Sequence, residues 1–265
     1  MKTTRREMMG GLGTGLVGAG LLSGQLSGQL SGQQRPQAVP VRRGKIIKLF
    51  QTPEGFPNAL AASPDGWWVG EQKTQHACLL DWTGKLLKTV KTESVNTSGI
   101  AYGDGSIFMC ANAAPNGIYL TGLDSKTISH RQIPLGGGGC HGAEYRDGKL
   151  WVAALRLRGI LRVDAKTWEP EFLIPYSVPR AHGIALEGGF VWLVTATDDG
   201  KAGLNKYDAS TGALVETVKF DELYPDPHGL AFHEGSMYTC DAGIHPGWQE
   251  SVSPATGYIC RIEIS

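Results

Sequence analysis

Charge of one sign is missing from this chain. Its 265 residues carry 25 Lys plus Arg against 25 Asp plus Glu. Without a net field to hold it on a polyanion, nucleic acid and acidic membranes are excluded as expected partners. Long apolar runs are missing too: the most apolar stretch, GGLGTGLVGAGLLSG at 10–24, is short and broken by glycine, which excludes a comfortable membrane span. No helix-length segment carries a 3.6-residue apolar period, so helical repeats are excluded. Cysteine is scarce. Cys78, Cys110, Cys140, Cys240 and Cys260 form an odd set with no close-spaced pair, so at least one thiol is unpaired within the chain and the set reads as core. Metal signatures as specific as HExxH or paired CxxC are absent.

What is plentiful is glycine, 37 residues, clustered in DG, GG and EG steps between β-rich runs. That is the texture of many hairpins. The first 42 residues read differently. Arg5 and Arg6 in TTRREMM precede the weakly apolar stretch, and SGQLSGQLSGQQRPQ at 23–37 repeats small polar residues that build no core. Residues 1–42 therefore read as a twin-arginine export signal with a flexible linker, and residues 43–265 as one folded domain. The expected location is the periplasm or the exterior, with no membrane attachment after signal removal and a monomeric state.

The folded part repeats itself. GKIIKLFQT at 44–52 resembles GKLLKTVKT at 84–92, and GALVETVKF at 212–220 has the same design. Between such strands stand a turn and an aromatic-bearing strand: SPDGWWVGEQ at 63–72, GDGSIFMCAN at 103–112, RDGKLWVAAL at 146–155, EGGFVWLVTA at 187–196 and HEGSMYTCDA at 233–242. Five copies at a period of roughly forty residues, with four strands each, predict an all-β fold, a five-bladed β-propeller. The units begin near Pro57, Thr97, Cys140, Ala181 and Pro227. The last lacks an outer strand, which GKIIKLFQT supplies from the N-terminal side, hiding sheet edges that would otherwise invite aggregation.

Three units open on a His-Gly step: CHGAEY at 140–145, AHGIAL at 181–186 and PHGLAF at 227–232. Each step begins the innermost strand, so one channel mouth is ringed by Asn58, Ser98, His141, His182 and His228. The second strand of each unit ends at that mouth, on Glu71, Ala111, Ala154, Thr195 and Asp241. The three histidines converge on a small volume and read as a site for a metal or an anionic ligand; His141, His182, His228 and Asp241 are the candidate ligands of a divalent metal, and neutral imidazoles suit Zn, Cu or Fe better than Mg or Ca. His228, Asp241 and Glu71 are the candidate catalytic groups, because a carboxylate beside imidazoles can serve as a base with its pKa raised by a neighbour. The alternative for Asp241 is a turn cap, and for the histidines hydrogen-bonding struts between blades. His245 stands in a loop as a candidate lid residue, and Trp248 is the tryptophan least expected in blade packing.

The units PHGLAF…GSMYTCD and AHGIAL…VWLVTA resemble those of the streptogramin (virginiamycin B) lyase family and, more distantly, gluconolactonase and NHL-repeat propellers. The count of five blades is also similar to the propeller-type glutaminyl cyclases. The lyase resemblance implies a magnesium ion held by His182, His228 and Asp241 and an elimination that opens a cyclic ester. The chain departs from that family in blade number, in its third channel histidine and in having Asp where the family has Glu. Three functions follow: a metal-assisted lyase or hydrolase acting on a small or cyclic ester, a redox or oxygenase centre on the same histidines, or a binding module without chemistry.

Overall fold

The computed structural model describes residues 38–196, 201–220, 226–242 and 253–265. The first strand, β1 (Val41–Gln51), is followed by four-stranded antiparallel units. The first unit holds β2 (Pro57–Ser63), β3 (Gly66–Glu71), β4 (His76–Leu80) and β5 (Leu86–Lys91). The second holds β6 (Thr97–Gly103), β7 (Ser106–Ala111), β8 (Gly117–Gly122) and β9 (Thr127–Arg131). The third holds β10 (Cys140–Arg146), β11 (Lys149–Ala154), β12 (Gly159–Asp164) and β13 (Pro170–Pro175). The fourth holds β14 (Arg180–Glu187), β15 (Phe190–Ala196), β16 (Ala202–Asp208) and β17 (Leu214–Phe220). The last holds β18 (Pro227–His233), β19 (Ser236–Asp241) and β20 (Tyr258–Ile264), with β1 outside β20. The aspartate-glycine and glutamate-glycine steps make the tight links between first and second strands. Asp104–Gly105, Asp147–Gly148 and Glu234–Gly235 all have positive φ at both residues, the backbone of a hairpin turn matched to strand twist.

The inner strands β2, β6, β10, β14 and β18 neighbour one another in a closed ring. Apolar clusters fill each gap between adjacent units: Trp68 with Ile100 and Met109, Phe108 with Leu150 and Val152, Trp151 with Ile184 and Leu193, Trp192 with Leu230 and Met237, and Trp67 with Leu60 and Ile259. The chain is thus a β-propeller whose described strands make five blades. Its tryptophans at 67, 68, 151 and 192 belong to blade packing, as expected, and all five cysteines are buried thiols.

Closure goes further than the repeat implies. β1 runs antiparallel to β20 from Gly44 opposite Ile264 to Gln51 opposite Tyr258. Its first residues, Val41 to Gly44, also pair in parallel with Thr217 to Phe220 of β17. The strand begins at Val41, two residues before the expected domain start, and joins the fourth and fifth blades into one eight-stranded sheet. β14 likewise starts one residue early, on Arg180.

Glycine after each histidine has a direct cause. A Cβ on Gly142 would stand 2.5 Å from the carbonyl oxygen of His182, and one on Gly183 or Gly229 would press closer still on the His228 carbonyl and the Leu60 amide. The inner strands crowd backbone against backbone at the axis, and only glycine fits.

Candidate functional site

The mouth residues arrive as the repeat places them. Pro57 pairs with Glu71, Thr97 with Ala111, Cys140 with Ala154, Ala181 with Thr195 and Pro227 with Asp241. One residue further along each inner strand stand Asn58, Ser98, His141, His182 and His228. All five line a cavity of about 340 Å³, together with Gln72, Lys73, Gln75, Val95, Asn96 and Asn112. The His141 and His182 rings stack with centroids 4.5 Å apart, and those of His182 and His228 lie 4.0 Å apart.

Hydrogen bonds assign the ring nitrogens. Nδ1 of His141 donates to the Ala181 carbonyl at 3.0 Å, and its Nε2 accepts from the Asn112 amide at 2.6 Å. Asn58 spends its amide N–H groups on the Thr97 carbonyl and the Ser98 hydroxyl, so its oxygen must accept from Nδ1 of His228. His141 therefore keeps its proton on Nδ1 and turns its Nε2 lone pair to Asn112, and Nδ1 of His228 is fixed as a donor, the kind of ring orientation that a hydrogen-bonded Nδ1 provides.

What the lone pairs of the deeper two histidines meet is Arg180, which sequence reasoning missed. Its Nε donates to Nε2 of His182 at 2.6 Å, its Nη2 contacts Nε2 of His228, and its Nη1 donates to Oδ1 of Asp226 at 2.9 Å. A guanidinium has only donors, so Nε2 of His228 presents its lone pair to it even though Asp226 Oδ1 lies 3.2 Å away. Burial would raise the Asp226 carboxyl, but its contacts with His228 and the Arg180 charge hold it well below the usual carboxylate range. Asp226 is thus ionised and anchors Arg180. A signal for this group existed. The residue two before each ring position reads Phe56, Asn96, Gly139, Arg180 and Asp226 down the five repeats, so three polar residues recur in register beside the ring.

Glu71 and Asp241 do not join the histidines. Both are fully buried, and neither lines the cavity. Each turns back on its own blade: Glu71 Oε2 accepts the Phe56 N–H at 2.9 Å, and Asp241 Oδ2 accepts the Asp226 N–H and the Ser253 hydroxyl, both at 2.8 Å. Phe56 and Asp226 are equivalent residues, one before the first strand, so the two carboxyls are the same entry-loop latch in two blades. Burial pushes both up to about 7, with those backbone N–H donors opposing the rise. This corrects the expected catalytic placement of Glu71 and Asp241: their turn back toward the entry loops removes them from the cavity. His228 is itself only 1% exposed beneath Arg180, so it too is badly placed to meet a substrate.

A divalent metal on His141, His182, His228 and Asp241 does not fit this arrangement. The Nε2 atoms of His182 and His228 share one guanidinium, that of His141 faces the Asn112 amide, and Asp241 is elsewhere. Among the described residues no three His, Cys, Asp or Glu side chains stand together as a metal-holding group. A positive guanidinium beside the very lone pairs a metal needs makes the two occupants competitors. His245 and Trp248 lie outside the described residues.

No family model and no curated protein sequence matches the chain. Among solved structures it is similar to glutaminyl cyclase from Myxococcus xanthus, with a TM-score of 0.64 at 10% identity over 86% of this chain and 99% of that one. It is also similar to virginiamycin B lyase from Staphylococcus aureus, with a TM-score of 0.50 at 19% identity over 80% of this chain and 68% of that one. At these identities the likeness is one of architecture, and on that ground, together with the ring of inner strands, the chain takes its place among the β-propellers.

Proposed function

We propose that the propeller mouth is the active site of an exported enzyme that opens a small or cyclic ester by elimination, with hydrolysis as the alternative outcome at the same site. The observation that carries this reading is His141. It is a partly exposed imidazole lining the cavity, whose Nδ1–H is tied to a backbone carbonyl and whose Nε2 accepts from the Asn112 amide. A fixed ring beside a cavity suits a base, with the substrate displacing Asn112 from the Nε2 lone pair.

In an elimination, Nε2 of His141 takes the proton from the carbon next to a carbonyl. A carbon–carbon double bond forms as the neighbouring C–O bond breaks, and the acyl half leaves as a carboxylate. Arg180, beyond the stacked His182, offers the positive charge to receive that carboxylate. His182 and His228 hold the guanidinium in place instead of acting as bases themselves. Two enzymes that share the fold are named a lyase and a cyclase, which is consistent with proton-transfer chemistry on this scaffold but does not choose the substrate. Export rests on Arg5 and Arg6, which lie outside the described residues.

The test is turnover of a panel of lactones and cyclic depsipeptides, read by absorbance of the new double bond and by acid released. Acid with absorbance marks elimination; acid alone marks hydrolysis. His141→Gln should lower kcat by about 10²–10⁴-fold with an unchanged circular dichroism spectrum. Full activity in that variant, or no turnover of any ester by the wild type, would remove the reading and leave a binding platform.

A further inference from the structure

We infer that the mouth carries a receptor for a small carboxylate, built on Arg180 and completed by Lys73. The inference deepens the reading of the mouth as an active site, because it names what the substrate or product must bear.

Arg180 has five N–H groups. Three are spent on His182, His228 and Asp226, which leaves two, on Nη1 and Nη2, without a protein partner among the described residues. The side chain is 35% exposed, so those donors are reachable from solvent. An oxyanion is the acceptor that suits remaining guanidinium N–H groups.

The charge count points the same way. The cavity is lined by amides, a hydroxyl, three imidazoles and one ammonium, with no carboxylate among its described lining residues. Asp226 neutralises Arg180, and Lys73 adds a further positive charge. Its Nζ stands 3.5 Å over the Phe56 ring, a contact that parks the ammonium at the rim. Glu54, two residues before Phe56, is turned to Nδ1 of His76 at 2.8 Å. The two buried carboxyls that might oppose an anion face their own entry loops. Arg180 stands behind His182 and His228, outside the lining of this cavity, so an anion entering the mouth meets Lys73 and the amide donors first and reaches the guanidinium past the histidines.

A third feature fixes the guanidinium before any ligand arrives. Its Nε and Nη2 meet the Nε2 atoms of two imidazoles whose rings lie 4.0 Å apart at a tilt of 45°, and His228 is itself held by Asn58. Ordering a free arginine costs rotamer entropy on binding; here that cost is met by folding. Two imidazole acceptors in place of carboxylates also leave the positive charge less neutralised than in an ordinary ion-pair network.

The experiment uses the full chain and acetate as the probe, at ionic strength held constant with chloride. The ¹⁵N signals of the His182 and His228 rings report on Arg180. Acetate should shift them saturably at millimolar concentration, and Arg180→Gln should abolish the response. Lys73→Ala should weaken binding about threefold, and Asp226→Asn, which removes the internal competitor, should strengthen it. No saturable response, equal binding by Arg180→Gln, or zinc binding at these signals in the wild type would overturn the inference. Failure of the two readings is separable: acetate binding without ester turnover leaves the receptor and removes the enzyme, whereas turnover without acetate binding does the reverse.

Discussion

The two sides of the propeller mouth use one backbone position for different ends. On the first and second blades the ring residues are Asn58 and Ser98, neutral groups that bond to each other and to the Thr97 carbonyl. On the other three blades they are His141, which bonds Asn112, and His182 and His228, which share a guanidinium anchored by its carboxylate. The quiet side also supports the reactive one, since Asn58 spans the seam between first and last blades to fix the tautomer of His228. The difference teaches that the scaffold sets where a side chain stands, while the chemistry comes from which blades carry an imidazole and what is placed behind it.

The most damaging way to break this comparison is to disturb the backbone beneath the histidines. Gly183→Ala puts a methyl against the His228 carbonyl, where the three nearest atoms are all backbone. The expected loss exceeds about 4 kcal/mol, the range of severe core strain, and is read by urea denaturation. The first blade already carries Ala59 at the matching position, so an equally mild response at Gly183 would mean that the ring is looser than its geometry.

Next come the latches, one on each side of the seam. The Asp241 carboxyl stands at about 7 in the folded chain against an ordinary 3.8, so the folded state keeps a proton that the unfolded chain loses. Its contribution to stability is therefore full below pH about 4 and is lost as pH rises through about 7. Asp241→Asn removes that slope and should gain on the wild type by up to about 4 kcal/mol between pH 4 and pH 8. Glu71→Gln should behave alike with a smaller gain, since its ordinary value of 4.5 is nearer to its folded value of about 7. Melting at pH 5 and pH 8 checks both; a flat difference would show that neither carboxyl is held protonated.

The smallest of these effects sharpens the comparison best. Asn58→Ala removes two donated bonds and the acceptor for His228 Nδ1, and should cost about 1–3 kcal/mol. The His228 ring signal should then report a mixture of tautomers, while His141, tied to Ala181, keeps its own.

Much of the fold was legible because repetition amplifies weak strand signals. Five turn-plus-aromatic copies gave the blades, and the His-Gly steps gave the mouth ring, since glycine there answers to a crowding that four of the five blades meet with glycine and the first meets with Ala59. The early start of β1 was not legible: four residues of parallel pairing with β17 leave neither a turn nor an alternation to read. In the site, positions were legible and directions were not. Glu71 and Asp241 do end their second strands at the mouth, but the N–H groups of Phe56 and Asp226 draw their side chains backward. Arg180 escaped notice because its partners lie 2, 46 and 48 residues away, and no local pattern announces such a convergence.

The pairing of β1 with β20 also sets an order of events during synthesis. The first strand to be made takes its antiparallel partner from residues 258–264, so it must wait while more than two hundred residues follow it off the ribosome. Blades one to four can assemble in turn, each from its own contiguous stretch, but the ring cannot lock until residues 258–264 are free. Until then β1 is an exposed strand in search of an edge, and the parallel foothold on β17, complete once residue 220 has emerged, gives it a place to rest that leads directly to its final neighbour.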